Sequence, residues 1–170
     1  LGNVGGPVAL NDSNGAVGTV NLDSFTSTNT WSTGSPNPLL NGYLDNTDAN
    51  PNAQSVVVSG IPYGSYSVYA YFGSDGAGRT GSVSLNGVTY FYSTRGNVTD
   101  YLITTDDVGA VNPAANYAIF SGVTGGSFTI NQSRGSNNSG LIALEIVQSG
   151  AVPVTLANGL NVTTNSTIDV

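Results

Sequence analysis

The chain has no cysteine, no histidine, no methionine and no lysine. Without cysteine there is no disulfide framework, no thiol nucleophile and no zinc–thiolate site. Without histidine the commonest general base and the commonest transition-metal ligand are both missing. The basic side chains are Arg79, Arg95 and Arg134 alone, set against ten acids for a net charge of −7. That balance excludes the phosphate-neutralising patch that nucleic acid requires. No apolar run approaches the roughly 20 residues of a membrane span, so membrane insertion is not expected. No signal peptide is present, and the chain reads as mature, its export signal already removed.

What is present suits one domain. A chain of 170 residues buries roughly 70% of its unfolded surface on folding, enough for a core without covalent staples. Charged residues make up only 8%, so the surface must be built from Asn, Ser, Thr and Gly. Such a lysine-free, amide- and hydroxyl-rich composition is like that of exported bacterial surface proteins, and a secreted or cell-surface location is expected.

Helical periodicity is absent, and strand, turn, strand recurs instead. SVVVSGI at 55–61 is followed by the turn Pro62-Tyr63-Gly64 and by SYSVYAYF at 65–72. The latter alternates strictly, with Tyr66, Val68, Ala70 and Phe72 on the expected core face and Ser67, Tyr69 and Tyr71 on the other. GSVSLNGVTYFY at 81–92 contains Asn86-Gly87, the strongest short hairpin signal. Further strands are expected at 7–10, 16–22, 101–105, 116–123, 127–133 and 141–147. Together they specify an all-β fold, a two-sheet antiparallel β-sandwich. Residues 24–52 show little periodicity and read as one long loop.

The composition changes after Gly150. A boundary there divides a β-sandwich module (1–150) from a segment (151–170) that starts a following β-repeat or linker. VPVTLANGLNVTTNSTIDV at 152–170 resembles the autotransporter-associated β-strand repeat, which implies a larger, multi-modular parent protein.

Consecutive strands of a sandwich run in opposite directions, so their connections alternate between its two ends. Counted from Ser55, one end collects Asp48, Asn50, Asp75, Arg79, Arg95, Asn97 and Asp100. The loop at 134–140 joins them only if 101–105 is not a full strand. At this rim Arg79 and Arg95 either pair with Asp75 and Asp100 to steady the loops or offer a fork of donors to sugar hydroxyls or a uronate carboxylate. Sugar rings also stack on aromatic side chains. Trp31, the only tryptophan, lies in the long polar loop as either a structural anchor or a ligand platform. Tyr69, Tyr71, Tyr90 and Tyr92 would tile one outer face if their strands are neighbours, although tyrosine is also simply favoured in strands. The candidate ligand-binding set is therefore Trp31, Tyr69, Tyr71, Asp75, Arg79, Tyr90, Tyr92, Arg95 and Asn97.

Two oxygen-rich stretches, NDSNG at 11–15 and LDNTDAN at 44–50, would suit a structural calcium through Asp12 and Asn14 or through Asp45 and Asp48. Neither has the spacing of an EF-hand loop, and such clusters are also ordinary turn chemistry. Glu145, the only glutamate, sits within LIALEIV and supports no catalytic role.

The runs VVVSGIPYGSYSVYAYFGSD, GRTGSVSLNGVTYFY, NYAIFSGVTGGSFTI and SGLIALEIV resemble galactose-binding-like jelly-roll modules over about residues 55–148. The matching features are the strand start at Gly64 and Tyr66, the exposed loop to Arg79, the hairpin and the closing apolar strand. The resemblance implies a jelly roll without catalytic activity, a carbohydrate-binding module of a secreted bacterial polysaccharide-degrading or surface protein. Its ligand would be an oligo- or polysaccharide, such as one of the plant or algal cell wall. The long loop at 24–52 has no counterpart in that family, and the acidic N-terminal strand that often supplies a calcium ligand is missing. Two alternatives stand beside it. One is a structural spacer or adhesion domain of a β-helical exported protein with no sugar ligand. The other is a small polysaccharide lyase using Tyr92 as base and Arg95 against a uronate.

Overall fold

Strict alternation at Tyr66, Val68, Ala70 and Phe72 puts four fully buried side chains on one face of a strand, and the rest of the architecture is built against that face. The computed structural model describes residues 7–27, 29–45, 54–96 and 99–150, and in the C-terminal segment the backbone of 153–155, 161–163 and 168–169. In chain order the strands are β1 (Val8–Asn11), β2 (Val17–Thr26), β3 (Asn29–Ser32), β4 (Gly42–Asp45), β5 (Gln54–Ser59), β6 (Tyr66–Gly73) and β7 (Ala77–Leu85). They continue with β8 (Val88–Arg95), β9 (Tyr117–Val123), β10 (Ser127–Arg134), β11 (Gly140–Gln148), β12 (Pro153–Thr155), β13 (Asn161–Thr163) and β14 (Ile168–Asp169).

Two antiparallel sheets form the sandwich, one ordered β1-β2-β5-β10-β7-β8 and the other β14-β11-β6-β9. The all-β, two-sheet antiparallel expectation therefore holds. Val56, Val58, Phe128, Ile130 and Val83 of the first sheet pack on Val68, Phe72, Phe120, Leu144 and Ile146 of the second. Burying each such side chain contributes about 1.5–3 kcal/mol. Phe72 and Tyr92 cross the gap between the sheets, their rings stacked at 3.8 Å and 16°. In the C-terminal segment β12 pairs with β13, and β14 lies along β11 with Ile168 opposite Ile146. Among the described residues no helix is long and apolar enough to cross a membrane.

The hairpin of β7 and β8 turns at Asn86 and Gly87, both with positive φ, 50° and 82°, as a type I′ turn requires. Its register corrects one expectation. Val83 faces Tyr90 and Gly81 faces Tyr92, and cross-strand partners share a face. Tyr90 and Tyr92 therefore point into the core with Val83, and they belong to a different sheet from Tyr69 and Tyr71. Gly81 is what admits the Tyr92 ring, since a Cβ there would stand 2.5 Å from the Tyr92 hydroxyl. That hydroxyl accepts from Gln132 Nε2 at 2.9 Å and lies 3.3 Å from Ser139 Oγ.

Two further expectations are corrected. Residues 24–45 are not one irregular loop: β2 continues to Thr26, and β3 and β4 form a hairpin around a 3₁₀ turn at Pro38–Leu40. Asn37 caps that turn by accepting the Leu39 N–H, and Pro38 occupies the first position, where its missing N–H costs nothing. The strand expected at 101–105 is also absent. Residues 99–116 instead lie along β8 and the start of β9, held by the bonds Phe91 N to Asp106 O, Ser93 N to Pro113 O and Thr104 N to Tyr117 O. Within them the Asp106 carboxylate accepts the N–H groups of Val108, Gly109, Val111 and Asn112.

Burial pushes the Tyr92 hydroxyl up from 10.0 to about 12, against the lowering effect of its Ser139 and Gln132 hydrogen bonds. An unfolded tyrosine ionises near 10, so the stability this proton confers is complete below pH 10 and is lost as pH rises toward 12. Tyr92→Phe should lower stability by about 1–3 kcal/mol at neutral pH, because Gln132 and Ser139 lose a buried partner. It should also flatten the alkaline decline. Urea unfolding at pH 7 and at pH 11 measures both.

Candidate functional site

Strand direction brings four connections to one end of the sandwich. These are the β3–β4 hairpin, the turn at 74–76, the segment at 99–116 and the loop at 135–139, which joins the rim because 101–105 is not a strand. The hairpin is fixed to this end by Gln54, the buried first residue of β5. Its Nε2 donates to the Leu44 carbonyl of β4, and its Oε1 accepts the Leu141 N–H of β11 at 3.2 Å. Gly140 permits this approach, since a Cβ there would collide with the Leu44 carbonyl.

In the hairpin register Trp31 faces Tyr43 and Asn29 faces Asp45. With Asp75, Arg79 and Asn138 these residues line a polar cup of about 260 Å³. Arg79 Nη1 donates to Asp75 Oδ1 at 2.6 Å and to the Asn138 carbonyl at 3.0 Å. The Tyr43 hydroxyl donates to the same Asp75 oxygen at 3.1 Å. Burial, and then the charges of Asp45 and Asp75, hold that hydroxyl well above its ordinary pKa, so it stays a donor. Asn138 Nδ2 reaches Asp45 Oδ2 at 3.4 Å.

Trp31 is 56% exposed and stands on the lip of this cup. It also borders an open, mainly apolar groove of about 750 Å³ lined by Pro38, Leu39, Ile142 and Ala143 among others. Trp31 and Tyr43 thus border both a pocket of convergent carboxylate, guanidinium and amide groups and an open apolar groove.

Of the expected residues, Trp31, Asp75 and Arg79 come together here. Both ion pairs weighed from the sequence are present, Arg79 with Asp75 and Arg95 with Asp100, each at 2.6 Å. The Arg95 hydrogen bond holds the Asp100 carboxyl below its ordinary pKa. Arg95 lies on the same rim but does not line the cup. Tyr69 and Tyr71 do project from the outer face of the second sheet, joined there by Tyr117 and Tyr101 rather than by Tyr90 and Tyr92. Tyr71 is buried, and its hydroxyl donates to Glu145 Oε2 at 3.0 Å. Tyr90 packs on Phe120 at 5.2 Å. Tyr92, enclosed in the core, cannot meet a bound chain, so the base assigned to it in the lyase reading is not available.

Asp48, Asn50 and Asn97 lie outside the described residues. Asp12 serves as a turn acceptor, its Oδ1 taking the N–H groups of Asn14 and Ala16 at the opposite end from Asp45. Among the described residues no three acidic side chains gather into a cation cage. Sequence reasoning missed Tyr43, Asn29 and Asn138. The signal available for Tyr43 was its alternation with Asp45 behind the Asn37-Pro38 cap.

Gly140→Ala should unseat the β3–β4 hairpin, costing on the order of 2–3 kcal/mol from strain and an unpaired buried carbonyl. Hydrogen exchange should then rise over 29–45 while β6 and β10 stay protected. A uniform loss of protection across both sheets would show instead that hairpin and sandwich unfold as one unit.

The chain matches no protein-family model and no curated protein.

Proposed function

We propose that this protein is a non-catalytic carbohydrate-binding module of the jelly-roll, galactose-binding-like kind, working as part of a larger secreted or cell-surface protein. The observation that carries the reading is Trp31, an exposed indole between a polar cup and an apolar groove. A pyranose ring has an apolar C–H face that an aromatic ring covers well, and a hydroxyl perimeter that needs directed donors and acceptors. Trp31 supplies the first. Asp75, Arg79, Asn29 and Asn138 supply the second, and Arg79 already holds Asp75 and the Asn138 carbonyl by hydrogen bonds, so that part needs little ordering on binding. The groove that Trp31 also lines is large enough for further rings of an oligosaccharide and takes in Ile142 and Ala143 of β11.

The outer tyrosine face supports the reading less well. Tyr71 is buried there and Tyr117 stacks on both Tyr69 and Tyr71, so those rings already serve one another as partners.

Affinity electrophoresis through gels containing plant and algal polysaccharides tests the proposal. Retardation on at least one polysaccharide is expected. Trp31→Ala should weaken it at least about tenfold, as truncation of an aromatic anchor does, while Tyr69→Ala should change it little. Because Trp31 is the only tryptophan, an oligosaccharide of the retained class should also shift the intrinsic emission to the blue. Retardation that survives Trp31→Ala but is lost in Tyr69→Ala would move the site to the sheet face. No retardation on any gel by a cooperatively melting protein would favour a spacer domain.

A further inference from the structure

All three cationic side chains of the chain lie toward the rim end, Arg79 on β7 and Arg95 and Arg134 at the ends of β8 and β10. Each is engaged. Arg79 holds Asp75 and the Asn138 carbonyl, Arg95 holds Asp100, and Arg134 Nη1 donates to Asn138 Oδ1 at 2.9 Å. The sequence has no lysine and no histidine, so these three arginines are its only cationic side chains. Inside the cup one guanidinium faces two carboxylates, Asp45 and Asp75.

We infer that the cup selects neutral, hydroxyl-rich glycans and rejects uronate-bearing ones, an inference that rests on the glycan-binding reading above. A carboxylate entering the cup meets Asp45 and Asp75 as like charges in a confined space. It would also have to displace Asp75 from Arg79 to gain a counter-charge. The guanidinium is poorly placed for that exchange, because it lies against Gly76, where a Cβ would come within 2.8 Å of Nε and Nη2. A neutral sugar needs no exchange. The Asp75 side chain is 41% exposed and that of Arg79 24%, so the pair presents an acceptor edge beside a donor edge. Adjacent hydroxyls, one donating and one accepting, match such a pair without disturbing it.

The test compares retardation in gels of neutral polysaccharide, galactomannan and xyloglucan, with gels of polygalacturonate and alginate, each run in EDTA and in calcium. The native protein should bind at least one neutral polymer and bind both uronate polymers at least about tenfold more weakly. Asp75→Asn removes a like charge and releases Arg79, and should narrow that ratio to about threefold or less. Asp12→Asn makes the same charge change at the opposite end, keeps the turn acceptor, and should leave the ratio where it was. Equal or stronger uronate binding by the native protein would overturn the selectivity while leaving glycan binding intact. So would an unchanged ratio in Asp75→Asn, or an equal narrowing in Asp12→Asn. No retardation in any gel would overturn the glycan-binding reading and the selectivity with it.

Discussion

One buried amide joins three parts of this protein. Gln54 begins β5 in the first sheet, yet its side chain bonds the backbone of β4 on one side and of β11, in the second sheet, on the other. A buried amide left half-satisfied costs about 1–3 kcal/mol, so the hairpin, the first sheet and the second sheet favour one mutual arrangement. Its neighbour across the ladder is Gln132, which bonds Tyr92 and Ser139 in the same way. The middle of the sandwich is closed by Val, Ile, Leu and Phe, which are indifferent to direction. The rim end is closed by amides and hydroxyls, which are not. Placing Trp31 and Tyr43 reproducibly over Asp75 and Arg79 needs the second kind of contact.

The aromatic residues divide by environment. Tyr92 and Phe72 stack between the sheets and fill volume. Tyr69, Tyr71, Tyr101 and Tyr117 cover the outside of the second sheet, and burial followed by the nearby Glu145 charge keeps the Tyr71 hydroxyl protonated and donating. Trp31 has no aromatic partner within stacking distance among the described rings. Its surroundings are instead the cup and the groove, which is why it rather than the tyrosine cluster marks the candidate site.

Much of the fold was legible because alternation is a direct record of burial. The faces of β6 follow from reading every second residue, and the turn at Asn86-Gly87 from the rarity of side chains that accept positive φ. The β3–β4 hairpin was not legible in the same way. NTWS and GYLD carry almost no apolar alternation, since their stability comes from Gln54, which is far in sequence, and from caps such as Asn37 that act locally. Tyr90 and Tyr92 were placed on the wrong side because a tyrosine fits either face of a strand. The deciding residue was a glycine opposite, whose empty position no periodicity reveals. Asp75 and Arg79 were found because strand parity sorts loops by end, whereas Asn29 and Asn138 look like any other polar turn residue.

The segment 99–116 has a consequence for the open edges of the two sheets. By bonding to the rim halves of β8 and β9 it occupies the outermost strand of each sheet on the same side. An uncovered outermost strand is a template onto which a strand from another chain can add, and proteins that work at high local density must blunt it. Here the stretches left bare are Val88 to Tyr90 of β8 and Ile119 to Val123 of β9. On this side, therefore, a strand from another chain finds those two stretches open to pairing rather than two full edges.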